Sequence, residues 1–129
     1  MRGTKFAEDA SMIVLSGGSN DRLIPVDLFE DTVRELTNVV RDRAPDVPLV
    51  VLSTFYPPRA ETLPPEFAAM NSVLADNAAR VGATYIDVSN LFFGRPDAIG
   101  PDGTHPNDVG QALIADYLTP RLPDPLPRR

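Results

Sequence analysis

The sequence holds one histidine, and it stands three residues after an aspartate. In Asp102-Gly103-Thr104-His105-Pro106 the carboxylate can accept the imidazole Nδ1 proton, which leaves Nε2 facing outward as a base. Gly103 lets the backbone turn between the two groups, and Pro106 favours an extended His105. Taken alone, the pattern also suits an ordinary loop histidine beside an Asp-Gly turn. The second chemical group is Asn20, just past Gly17-Gly18-Ser19. Its side-chain amide can face a developing oxyanion, a contact that typically contributes about 3 kcal/mol to a transition state. The glycines allow a tight turn and close approach of a ligand, although Gly, Ser, Asn and Asp also make plain turns.

Other chemistries fit the residues less well. Asp102, His105 and Asp108 recur at intervals of three, but one imidazole and two carboxylates make a poor ligand set, and an acid at a helix start needs no metal to explain it. No metal or organic cofactor is expected. With no cysteine, the chain has no thiolate nucleophile and no disulfide framework. The 12 Lys+Arg against 18 Asp+Glu give a net charge of −6, which repels a phosphate backbone, so nucleic acid is not an expected partner. No apolar run approaches a membrane span, and the first nine residues lack the apolar stretch of a signal peptide. The chain as written reads as cytoplasmic, with secretion left open if sequence precedes Met1.

The elements that must position these groups are legible from periodicity. With 129 residues, 43% of them hydrophobic, the chain suits one domain with a core, expected over residues 1–121, followed by a frayed Pro-rich tail, Leu122–Arg129. Ser11–Ser16 is a continuous apolar run, the pattern of a strand covered on both faces. Residues 26–44 carry Phe29, Val33, Leu36 and Val40 at helical spacing, and Pro45 stops that helix. Pro48–Ser53 gives a second buried strand. Residues 54–65 are too rich in proline for regular structure. Phe67, Met70, Leu74, Ala78 and Val81 then mark a second helix, closed by Gly82. Thr84–Val88 is a third strand, and Asn107 can cap a last helix with Val109, Leu113 and Tyr117 on one face, stopped by Pro120. This alternation predicts an α/β layered domain with a parallel sheet, whose ligands bind beyond the carboxyl ends of the strands. Both motifs fall at that end. Phe55, Tyr56, Arg59, Phe92, Phe93 and Arg95 lie there too; the aromatics either line a substrate pocket or pack under their loops.

Taken together and in this order, the two motifs resemble those of the SGNH (GDSL-type) hydrolase family of esterases and lipases. The resemblance covers nearly the whole chain and implies a flavodoxin-like α/β/α sandwich. It implies that Asn20 supplies the oxyanion hole, that Gly18 and Asp21 frame it at the substrate, and that Asp102 and His105 are the last two members of a Ser-His-Asp triad. Small-molecule, glycan or lipid esters would be the substrates. The family's nucleophile sits in a Gly-Asp-Ser block at the end of the first strand, and no Gly-Asp-Ser stands in this sequence. Ser16 and Ser19 lie near the right edge of the sheet but not in that setting.

Only three strands are expected, and in the family order the absent first strand would pair beside Ser11–Ser16. That strand edge has neither charge nor proline to blunt it, so it invites pairing with another strand. Two expectations follow. Either Met1 is internal to a longer polypeptide, whose upstream part carries the serine and whose absence leaves this chain inactive, or the edge is completed by a partner, as in a homodimer or a non-catalytic binding domain derived from the fold.

Overall fold

The computed structural model describes residues 10–17, 24–55, 64–103 and 105–127. Three strands, β1 (Ile13–Leu15), β2 (Leu49–Leu52) and β3 (Thr84–Ile86), form a parallel sheet in the order β1-β2-β3. Helices α1 (Val26–Arg43), α2 (Pro65–Arg80) and α3 (Asp108–Leu118) follow them in turn. The predicted α/β alternation is therefore present.

Side-chain alternation along β2 builds a core on each face of the sheet. Val51 points to the α1/α2 layer and packs with Phe29, Val33, Met70, Leu74 and Ala78. Val50 and Leu52 point the other way, joining Ile86 and Val88 under Tyr117 and Leu118 of α3. All four residues of β2 are buried, as a central parallel strand requires. Pro65 opens α2 at a position where its missing N–H has no helical partner to lose, and Gly82, at φ +68°, turns the chain out of that helix towards β3.

Three expectations about faces need correction. β1 is not covered on both sides, since Val14 is 45% exposed. In a parallel ladder successive residues turn their N–H and C=O to opposite sides, and Ile13 donates to Pro48, so those of Val14 face away from β2. Among the described residues no strand lies on that side. Helix α1 buries Phe29, Val33 and Thr37, while Leu36 is 46% exposed. Thr37 tolerates burial because its hydroxyl donates to the Val33 carbonyl at 2.9 Å. Val109 of α3 is likewise exposed; Gly110 is the buried residue of that helix.

The tail is not frayed where it is described. Leu126 donates its N–H to the Ser11 carbonyl at 2.9 Å and packs with Ala44, Val47 and Ile13. The register Ile13↔Leu49 explains why that carbonyl is available: its donor on β2 would be residue 48, and Pro48 has no N–H.

Candidate active site

Each strand runs out at its carboxyl end into a polar segment: Ser16-Gly17 after β1, Ser53-Thr54 after β2, Asp87-Val88-Ser89 after β3. Gly17 has φ +130°, a conformation that side-chain-bearing residues rarely adopt, so the sharp exit from β1 depends on it. Beside it an apolar hollow of about 140 Å³ opens between Leu15, Ser16 and Gly17 on one side and Phe29, Val33 and Leu36 of α1 on the other. Gly18, Ser19, Asn20 and Asp21 lie outside the described residues, as do Tyr56 and Arg59.

Asp102 and His105 meet in a small loop. Asp102 Oδ1 accepts the backbone N–H of His105 at 2.9 Å, and Oδ2 lies 2.5 Å from the imidazole Nδ1. Gly103, at φ +73°, makes the turn between them and donates to the Gly100 carbonyl at 3.0 Å. The loop is closed at its base by Gly100 N–H donating to the His105 carbonyl at 2.8 Å, and by an antiparallel bridge between Ile99 and Pro106. The His105 side chain is 80% exposed. A contact this open adds little to stability, so the geometry bears on chemistry: Nδ1 is committed to the carboxylate and Nε2 faces solvent.

Buried polar groups knit the floor of this edge. Ser53, fully buried, accepts the Val88 N–H at 2.7 Å and reaches Asp87 Oδ1 at 3.2 Å. The same Asp87 oxygen accepts the Ser89 hydroxyl at 2.6 Å and its N–H at 2.9 Å. Burial pushes the Asp87 carboxyl up, but the hydrogen bonds from Ser89 and Ser53 outweigh it and hold the carboxyl below the usual carboxylate range. Tyr85 is pushed up to about 12 by burial and by the neighbouring Asp87 charge. Thr54 donates both N–H and hydroxyl to Asn71 Oδ1 of α2, each at 2.9 Å. The buried hydroxyls of Ser53 and Ser89 are thus structural, and among the described residues no serine hydroxyl bonds to His105.

Two of the loop aromatics pack on each other. Phe92 is 2% exposed and stacks on Phe55 with ring centroids 5.7 Å apart. Arg95 pairs through two nitrogens with Asp97 at 3.0 and 3.1 Å, at the exposed surface. Nothing in the spacing of the sequence marks Asp87 or Asn71 as the residues that tie the strand ends together. The bonds that do so, Ser53 to Asp87 and Thr54 to Asn71, span 34 and 17 residues of chain.

The parallel sheet between helical layers has the flavodoxin-like α/β/α fold. The GDSL-like lipase/acylhydrolase family model matches residues 3–113, and the chain belongs to that family. A GDSL lipase of Mycobacterium tuberculosis is 32% identical over 119 residues, covering 88% of this chain and 51% of the relative. Among solved structures, an acetyl xylan esterase from Geobacillus stearothermophilus superposes with a TM-score of 0.72 at 17% identity, over 95% of this chain and 64% of that one. The lipase/acylhydrolase of Enterococcus faecalis gives a TM-score of 0.62 at 20% identity, over 88% of this chain and 64% of that one. The chain therefore spans about half the length of the curated relative it matches. No described helix is long and apolar enough to cross a membrane.

Proposed function

We propose that this chain carries the base and oxyanion groups of a serine ester hydrolase whose nucleophile lies on a strand upstream of Met1. The carrying observation is the Asp102–His105 pair, with both carboxylate oxygens engaged by one histidine. In this reading Nε2 of His105 takes the proton of the serine hydroxyl as it attacks the ester carbonyl, then returns it to the leaving alcohol. Asp102 holds the Nδ1–H tautomer and stabilises the imidazolium. Asn20, from its place in the motif after β1, donates to the tetrahedral oxyanion, and Gly18 lets the substrate come close. Among the described residues no strand pairs with the outer edge of β1, which leaves a place for the nucleophile strand and supports the reading independently of the motifs. Small-molecule, glycan or lipid esters are the substrate class, with no cofactor in the reaction.

The isolated chain is then inactive, because losing the nucleophile of such a triad costs on the order of a millionfold in turnover. Assay of the 129-residue chain on a short-chain nitrophenyl ester is expected to give the background rate. Turnover that disappears in His105→Ala would show instead that a serine within this chain serves as nucleophile. The open face at Val14 also favours a second reading, a non-catalytic domain that binds a partner strand at β1. A monomer by light scattering that captures no partner would count against it.

A further inference from the structure

Asn107 makes more contacts than a helix cap needs. Its Oδ1 accepts the Gly110 N–H at 3.0 Å, the ordinary cap of α3. Its Nδ2 donates away from the helix, to the Asp97 carbonyl at 2.9 Å and the Ile99 carbonyl at 3.2 Å, and its backbone N–H donates to Ala98 at 3.0 Å. One side chain and its own N–H thus hold the carbonyls of 97, 98 and 99 in succession. Ala98 is fully buried, so this turn is a fixed point. Gly110 completes the clamp: a Cβ there would stand 2.3 Å from the Ala98 oxygen and 2.7 Å from Pro106 Cβ, so α3 lies pressed onto the turn.

The loop that presents Asp102 and His105 leaves from this clamp at Ile99 and returns to it at Pro106. We propose that Asn107 is a positioning residue for the Asp102–His105 pair, its Nδ2 setting the span across which the two side chains meet. The cap needs only Oδ1; the two donated bonds have no part in the helix and act on the loop base alone. This rests on the reading of the pair as the base of an ester hydrolase, but its test requires no activity.

His105 is the only histidine in the chain, so its imidazole nitrogens give a single, unambiguous set of NMR signals. In the unaltered chain, with the ring neutral, the Nδ1–H tautomer is expected to dominate, because Asp102 accepts that proton. Asn107→Ser keeps a hydroxyl cap for α3 and adds no charge, but removes both Nδ2 bonds. It is expected to retain the helix content of the unaltered chain by circular dichroism while the Nδ1–H fraction falls by about half or more, towards free imidazole. Asn107→Ala is expected to lower the Nδ1–H fraction as far and also to weaken α3. An unchanged tautomer ratio in Asn107→Ser overturns the proposal while leaving the pair intact. Loss of helix in Asn107→Ser overturns it too, since the amide would then hold the fold rather than the loop. Absence of the Nδ1–H tautomer in the unaltered chain contradicts the pair itself.

Discussion

Asp102 uses its two oxygens on two different atoms of one neighbour, the backbone N–H and the ring Nδ1 of His105. The first bond fixes where the histidine backbone lies and the second fixes which ring nitrogen carries the proton. Replacing Asp102 by Asn puts an amide where only an acceptor serves. In an active polypeptide containing the upstream serine, Asp102→Asn is expected to lower kcat roughly ten-thousandfold. The melting temperature should hardly move, because both side chains are more than half exposed. A large drop in melting temperature would make Asp102 structural. Asp87 is the opposite case, a carboxylate whose bonds close the strand ends. Its folded value is depressed, so its stabilisation is present above the unfolded value and is lost as pH falls through the acid range. Tyr85 is raised, so its contribution holds below the ordinary tyrosine value and is lost as pH climbs towards about 12. Denaturation followed against pH is expected to show both losses, with the acid one absent in Asp87→Asn.

At the scale of elements, periodicity located the three α-helices and three strands but not the 3-10 turns Pro96–Ala98 and Thr119–Arg121, and it did not decide every face. Spacings of three and four residues both stay on one side of a helix, so Leu36 and Thr37 of α1 are equally plausible inward positions from sequence. The structure buries Thr37, whose hydroxyl accepts from Arg80 of α2 at 3.0 Å, and leaves Leu36 beside the hollow near β1. The Asp102–His105 spacing and the Asn107 cap were legible because both are local, within one turn of chain. The bonds from Asn107 to Asp97 and Ile99 were not, since they depend on how the preceding loop folds back. The same holds for Leu126 on Ser11, whose carbonyl is left without a donor by Pro48 just before β2. Gly110→Ala tests the tight approach of α3 to the 96–98 turn. Helix propensity alone favours alanine by about 1 kcal/mol, yet overpacking against a backbone oxygen typically costs about 1–3 kcal/mol. The variant is therefore expected to melt lower; a rise in melting temperature would show that α3 can move away without cost.

For the whole molecule, the sheet has two outer strands, β1 and β3, and among the described residues neither has a second strand neighbour. β2 is covered above and below, and just past β3 the Tyr117 hydroxyl donates to the Asp87 carbonyl at 2.9 Å. Beside β1, by contrast, Val14 and Leu36 present apolar surface, 45% and 46% exposed. The isolated chain is accordingly expected to self-associate as its concentration rises, and Val14→Lys to suppress this by placing a charge on the strand. Sedimentation that shows the same monomer for both chains at all concentrations would remove that expectation. The central claim is the proposal that a strand bringing the serine to His105 covers the outer edge of β1. The most direct measurement is ester hydrolysis by the polypeptide read in frame through the codons preceding Met1, with and without His105→Ala. The account predicts a Gly-Asp-Ser strand in that extension and turnover that falls on the order of a millionfold in the variant. An extension without such a serine, or hydrolysis that His105→Ala leaves unchanged, would contradict it.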